Sequence, residues 1–334
     1  MICFSHKQQH ITLNPSGHWA ERSDAVTYRD TSKELLWEIV REVESGTPWR
    51  EAVRRRYAES YPWLNAIVTS TKRDLFFRQH PPAAGDRVLD IGSGWGQMAL
   101  PLAKTAFVAA LEPTPERMAF IRATAAQEKL LDQMCFVESD FFSVDFETRF
   151  NLICCVGVLE WTASFRPGDP KTIHAGFLSR CAGALAQGGK FVLGIENRLG
   201  LKYLLGANDD HIGMAGISVY DATLADKKMR HAHGLELRAY TFTQKELSTM
   251  LQSAGFKHTR FYCAFPDYKL PDVITEWGTT TDTACMNGAP ALEHDGVTGA
   301  PLTIMEELNS HYRSLAEMGI SSAFAPSFYV EAGI

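Results

Sequence analysis

Val88-Leu89-Asp90-Ile91-Gly92-Ser93-Gly94-Trp95-Gly96 is the segment whose residue types and spacing most directly imply chemistry. Gly92, Gly94 and Gly96 come straight after an apolar run, Arg87–Ile91, and before a helical stretch. A backbone that must turn tightly and let a ligand lie against it calls for glycine there. Glu112 closes the next apolar run, 22 residues after Asp90. That spacing suits a carboxylate accepting hydrogen bonds from two ribose hydroxyls. The pyrophosphate fingerprint G-x-G-x-x-G is not met, because its sixth position, counted from Gly92, is Gln97. An acidic residue ahead of the glycines suits a cationic ligand better than a phosphate, and a sulfonium compound with an amino-acid tail fits that electrostatics.

A second group of candidate residues lies further on. Glu160 follows the apolar run Leu152–Val158, Glu196 follows Phe191–Ile195, and Asp209-Asp210-His211 comes soon after. His211 is the preferred general base, since imidazole titrates near neutrality and Asp209 or Asp210 could orient it. The same three residues could ligate a divalent cation, but they are contiguous and lack a spaced partner, so no metal is assigned. Arg198 and Lys202 are candidates for an acceptor's phosphate or carboxylate, against the plain reading of exposed charges. Tyr203, Tyr220, Tyr262, Tyr268 and Trp277 could stack on an acceptor, although most such aromatics are packing. His231 and His233 read as a solvated loop, and Arg54-Arg55-Arg56 as a solvated helix face.

The elements that must position these residues are partly legible. From Asp86 to Glu196, strand-like runs at Arg87–Ile91, Phe107–Leu111, Met134–Val137, Leu152–Val158 and Phe191–Ile195 alternate with helical stretches. One of these helices opens at Thr114-Pro115-Glu116, and another closes at Gly188-Gly189. Such alternation predicts a parallel sheet with helices on both faces. Ligands in such sheets sit at the carboxyl ends of the strands, which is where Glu160 and Glu196 fall. Thr31 to His80 reads as helices, with a capping box at Thr31-Ser32-Lys33-Glu34 and Thr47-Pro48 opening a second helix. Thr243-Gln244-Lys245-Glu246 caps another before Gly255. Asn197–Arg238 and Pro266–Ala300 are loop-rich, with a helix near Ile304–Met318 and a final strand at Ser327–Glu331. Pro101 fits poorly in the helix after the glycine loop, unless that helix has only a short first turn.

The glycine segment resembles motif I of the class I S-adenosylmethionine-dependent methyltransferases. The resemblance runs from about Asp86 to Glu196, with Thr243–Ala264 and Ser327–Glu331 as closing elements. It implies a Rossmann-like, doubly wound seven-stranded α/β sheet. Residues 1–82 would then be a helical N-terminal extension or lid carrying Tyr28 and Trp37. Residues 83–334 would be the cofactor-binding domain, with insertions at about 197–240 and 266–325. It also implies that Gly92 and Gly94 line the methionine part of S-adenosylmethionine, that Ser93 and Gly96 belong to the same cofactor-binding loop, and that Asp90 holds the ammonium end through the loop or water. Glu112 would take the ribose and Pro113 would border the adenine. Glu138-Ser139-Asp140-Phe141 resembles the family's next motif, placing Asp140 on the adenine amino group and Phe141 beside the ring. Val156 begins the loop expected under the methyl group. Read from the residues themselves, the candidate catalytic groups are His211 as base and, for transfer to nitrogen or carbon, Glu160 or Glu196. Glu196–Tyr203, Asn208–His211 and Phe265–Pro271 resemble a bacterial branch associated with surface-polysaccharide gene sets, which suggests a sugar hydroxyl as acceptor. Methylation of nitrogen or carbon in a natural-product intermediate is the alternative, and a non-catalytic cofactor-binding module is the third reading.

Composition bounds these readings. The chain has 334 residues, a formal net charge of −6, 45% hydrophobic and 22% charged residues. That excludes extensive disorder and argues against broad binding to nucleic acid. No run of about 18 apolar residues exists, so no membrane span is expected. Seven cysteines lack a C-x-x-C pair and read as reduced packing residues in a cytoplasmic protein. The partners expected are a small-molecule or saccharide substrate, with homo-oligomerisation left open.

Overall fold

The computed structural model describes residues 1–21, 28–279 and 302–334. The chain packs as two compact units. One comprises Met1–Val156, Arg180–Val192 and Gly333–Ile334; the other comprises Gly157–Ser179 and Leu193–Ala332.

The first unit opens on three strands, β1 (Ile2–His6), β2 (Gln9–Leu13) and β3 (His18–Ala20), ahead of the helical stretch expected from Thr31. Lys7 and Gln8 connect β1 to β2 at φ 46° and 67°, the left-handed pair that a two-residue hairpin needs. Helices α1 (Lys33–Glu44), α2 (Trp49–Tyr57), α3 (Pro62–Thr69) and α4 (Leu75–Gln79) follow. The caps sit one residue later than expected. Ser32 accepts from the Leu35 N–H and starts α1, and Pro48 precedes α2 without a side-chain cap from Thr47. Leu36, Ile39, Val40 and Val43 form the buried face of α1 and pack with Tyr57, Trp95 and Phe120 in one cluster.

Strand β4 (Arg87–Ile91) leads through the glycine loop into α5 (Ala99–Leu102), then β5 (Phe107–Leu111) and α6 (Pro115–Gln127). Helix α5 has only four residues, which removes the conflict over Pro101: no long helix is there to break. Strands β6 (Met134–Glu138), β7 (Asp145–Phe146) and β8 (Phe150–Val156) complete the run. Helix α7 (Pro170–Ala184) and strand β9 (Leu185–Glu196) come next. Gly188-Gly189 therefore lies inside a strand and does not close a helix. A Cβ at Gly189 would sit 2.8 Å from the Phe150 carbonyl oxygen, so close approach of two strands explains that glycine.

The sheet order in this unit is β9-β8-β4-β5-β6-β3, and β4 pairs parallel with both β5 and β8. β5 and β6, and β6 and β3, are also parallel. This is the parallel α/β sheet the alternation predicts, in the Rossmann-like form the resemblance implies. β3 is an edge strand beyond that expectation. β2-β1-β7 form a separate small sheet.

The second unit holds α8 (Leu201–Leu204), α9 (Ala222–His233), α10 (Gln244–Ser253), β10 (His258–Phe265), β11 (Val273–Glu276), α11 (Leu302–Glu317) and β12 (Ser327–Gly333). Thr243 and Glu246 close the reciprocal capping box that the sequence gives for α10. Helix α9 falls where no period was visible; Asp221 caps it, and His231 and His233 end it on an exposed face. Here the strand order is β11-β10-β12, with β10 and β11 antiparallel. Cys285 lies outside the described residues; the other cysteines are free, and five of those six are buried. Among the described residues no helix is long and apolar enough to cross a membrane.

Candidate active site

In the first unit the carboxyl ends of β4 and β5 carry the glycine loop and Glu112. Gly92, Gly94 and Gly96 take φ values of 67°, 55° and 80°. At Gly96 a Cβ would also meet Leu100 Cδ1 at 2.9 Å and Ile121 Cγ1 at 3.3 Å, so this position is closed to larger residues on two grounds. The loop is latched to β5: the Gly92 and Ser93 N–H groups donate to the Leu111 carbonyl at 2.8 and 3.0 Å. Glu112 extends that latch. Its Oε2 accepts from the Gly94 N–H at 2.9 Å and its Oε1 from the Thr114 N–H at 3.0 Å. Burial raises the Glu112 pKa, and the Arg117 guanidinium works against that rise.

Asp90 is 2% exposed, and its Oδ2 is buried without a hydrogen-bond partner. Burial pushes its carboxyl up to about 7, against the lowering effect of Ser93. An orphaned buried carboxylate beside a glycine loop suits a cationic ligand group. Ser93 is buried, and its hydroxyl donates to the Asp90 carbonyl at 2.9 Å. Asp140 accepts from the Phe142 N–H at 2.7 Å, while Phe141 is buried with the Arg180 guanidinium 5.6 Å from its ring centre. Pro113 is half-buried, and Val156 is buried at the end of β8.

Sequence reasoning missed Asp30 and Arg117. They form a buried ion pair at 2.8 Å, and Asp30 also accepts from Trp95 Nε1 at 3.1 Å. This ties the segment before α1 to the glycine loop and to α6. No local pattern signals a pair separated by 87 residues.

The second unit brings Glu160, Glu196 and His211 together. His211 Nε2 stands 3.4 Å from Glu196 Oε2 and 3.8 Å from Glu160 Oε1, and Nδ1 stands 3.5 Å from Asp209 Oδ1. Neither glutamate is exposed to solvent, and Trp161 meets the imidazole edge-on at 4.9 Å. Both Glu160 oxygens and Glu196 Oε2 lack a hydrogen-bond partner. Asp209 is the orienting residue of the two aspartates considered: its Oδ1 also accepts from the His211 and Ile212 N–H groups, and its Oδ2 from the Ser218 hydroxyl at 2.6 Å.

Burial opposes a charge on His211, yet Glu196, Asp209 and Glu160 outweigh it and hold the imidazole well above its usual pKa. The expectation of a histidine titrating near neutrality is thereby corrected. Glu196 is held well below the carboxylate range despite burial, chiefly by Lys269 and then by His211. Burial raises Glu160.

Asp210 turns away to Lys202, whose Nζ contacts both its oxygens at 2.8 Å, and Tyr203 donates to it at 3.2 Å. Lys269, unassigned from sequence, bridges Glu196 at 2.5 Å, Asp210 at 3.4 Å and Asp267 at 3.6 Å. Arg198 pairs with Glu246 through two nitrogens at 3.2 and 2.8 Å. Arg198 and Lys202 are thus internal ion-pair partners, which corrects their reading as anion-binding or exposed charges. Glu160, Glu196 and His211 have donor atoms within 4.8 Å of one another, as do Glu196, Asp210 and Asp267. A cation could bridge either trio; in the second, the lysine ammoniums already supply positive charge.

Residues 88–189, just under a third of the chain, match the family model described as a methyltransferase domain. With the latched glycine loop and its acidic partners, that makes this segment a methyltransferase domain. It is of the class I kind, built on a Rossmann-like sheet, whose cofactor is S-adenosylmethionine. A search of the curated proteins returns no match. Among solved structures, the chain is similar to phosphoethanolamine N-methyltransferase 2 of Haemonchus contortus in complex with S-adenosyl-L-methionine. Identity is 14% over 88% of this chain and 59% of that one, with a TM-score of 0.45. It thus spans about three-fifths of that enzyme's length. Similarity to the cyclopropane synthase MmaA2 of Mycobacterium tuberculosis is 19% identity over 78% and 81% of the two chains, TM-score 0.44. For the CcbJ methyltransferase of Streptomyces caelestis the values are 15%, 79%, 88% and 0.46.

Proposed function

We propose that the protein transfers the methyl group of S-adenosylmethionine to a hydroxyl of a small acceptor, a sugar or glycan intermediate being the class tested first. The carrying observation is His211 buried among Glu160, Glu196 and Asp209. A sulfonium methyl is already activated, so the protein's work is alignment, and removal of a proton when the nucleophile is a hydroxyl. A base cluster of this kind serves that proton. The test supplies methyl-labelled S-adenosylmethionine with a panel of free and nucleotide-linked sugars and a matched panel of amines. Label in an alkali-stable ether is the expected product; label only on nitrogen or carbon overturns the hydroxyl assignment.

On the cofactor side, Asp90 holds the ammonium end, Glu112 the ribose, and the backbone of Gly92, Ser93, Gly94 and Gly96 the methionine chain. Asp140, Phe141 and Pro113 border the adenine, and Val156 leads towards the methyl group. The orphaned Asp90 oxygen supports the first role.

With its carboxyl held up to about 7, Asp90 carries a proton in mildly acidic solution and must lose it to meet a cation. Cofactor affinity is therefore expected to fall about tenfold for each pH unit below 7. Calorimetry between pH 5.5 and 8 checks this, and Asp90→Asn should bind weakly without that slope. The same group lowers native stability as pH rises from about 4 to 7, because the folded chain holds a proton that the unfolded chain has released.

Glu112→Ala is expected to weaken both S-adenosylmethionine and S-adenosylhomocysteine about ten- to a hundredfold, the range for lost hydrogen bonds to a charged group. Wild-type affinity retained in that variant would remove Glu112 from the ribose.

A further inference from the structure

The second unit contains a cavity of about 690 Å³ that methyl transfer as described above does not use. Its size falls within the range of small-molecule sites. Ile217 and Leu237 form its apolar wall with Ile212, Tyr220 and Tyr240, from a cluster separate from the core of the first unit. Several charged groups around it are already paired: Arg198 with Glu246, Asp226 with Arg230, and Glu236 with Arg238. Lys171 and Lys245 stand exposed. An interior of this kind favours an uncharged occupant.

Among the described residues that line it, one buried side-chain atom is left without a hydrogen-bond partner. His174 is 3% exposed, lines the cavity, and its Nε2 makes no hydrogen bond. Its ring stands edge-on to Tyr240 at 5.6 Å and to Phe242 at 5.3 Å. Burial lowers its pKa to about 4, so it faces the cavity as a neutral imidazole. A buried imidazole nitrogen with nothing to bond costs stability unless something supplies the partner.

The cavity also adjoins the base cluster. Asp209 lines it and orients His211, and Tyr240, another lining residue, donates its N–H to the Glu160 carbonyl at 3.1 Å.

We propose that this cavity seats the acceptor by an uncharged, largely apolar ring or chain that carries a hydroxyl or carbonyl for His174 Nε2. Calling the occupant the acceptor rests on the methyl-transfer reading; the cavity's ligand chemistry does not. The acceptor class narrows accordingly, from any small hydroxyl-bearing acceptor to an amphipathic one.

The experiment uses the full chain without cofactor and titrates N-phenyl-1-naphthylamine, a neutral probe whose fluorescence rises in apolar surroundings. One saturable site is expected. Thr249→Trp on α10 and Ala222→Trp at the start of α9 fill the cavity from two walls and should each weaken the probe at least tenfold. 2-Naphthol should displace the probe at least fivefold better than 2-methylnaphthalene, and His174→Phe should abolish that preference while the probe still binds. Circular dichroism and melting curves establish that each variant is folded. The proposal is overturned by non-saturable binding, by indifference to both folded tryptophan variants, or by equal displacement by the two naphthalenes. Calorimetry with S-adenosylmethionine on the same samples separates the two readings. Probe binding without cofactor binding sinks methyl transfer, and cofactor binding without probe binding sinks the cavity.

Discussion

His211→Asn is expected to lower kcat for methyl transfer about a hundredfold or more, within the 10²–10⁴ range for a positioned general base, and to leave cofactor affinity unchanged. The imidazole has carboxylates on both nitrogens: Glu196 and Glu160 at Nε2, Asp209 at Nδ1. These neighbours overcome the cost of burial and raise its pKa well above the usual value. At neutrality the resting histidine therefore carries a proton, and the fraction able to accept one from a hydroxyl grows with pH. The rate should climb above pH 7 in the wild type, and that climb should vanish in His211→Asn. An unchanged profile in the variant would move the base to Glu160, whose two oxygens have no hydrogen-bond partner. The same raised pKa makes His211 a stabilising cation. Its contribution is complete below the unfolded value near 6.5 and is lost as pH rises through the folded value.

The strands β4, β5 and β6, the glycine loop and the α10 capping box were legible because each is written in consecutive residues: an apolar run, a glycine spacing, a Thr-x-x-Glu pattern. Gly188-Gly189 misled because glycine marks both helix ends and close strand contacts, and only the Phe150 carbonyl distinguishes them. Strands β1 to β3 are at most five residues long, and their pairing with β7 and β6 was not encoded locally. At the site, Glu160 and Glu196 could be named from their positions after strands, and His211 from its residue type in the loop beyond them. Their mutual geometry could not, because His211 follows Glu160 by 51 residues and the fold alone closes that distance. Lys269, Asp30 and Arg117 were hidden for the same reason. Their roles consist of pairing across long separations, which no window of sequence contains.

Lys269→Met is expected to destabilise the protein by about 3 kcal/mol, the lower end of the range for removing one partner of a buried charge pair. Lys269 is the ammonium that Glu196, Asp210 and Asp267 share, and its side chain is 26% exposed, so water offsets part of the loss. Lys202 remains in contact with Asp210, at 2.8 Å, and Glu196 keeps His211 as its remaining cation within 4 Å. Urea unfolding at pH 7 should give a lower midpoint with an unchanged slope. The penalty should shrink in acid. Asp210 is held down to about 2 and Glu196 well below its usual value, so both contribute stability above the unfolded value near 4. That contribution is lost as pH falls through the folded values, and the wild type's advantage narrows with it. Lys269→Arg keeps the charge and should recover most of the loss. Asp267→Asn added to Lys269→Met should recover part of it, because it removes one of the stranded carboxylates. A Lys269→Met midpoint within experimental error of the wild type would mean that water, and not this ammonium, neutralises the cluster.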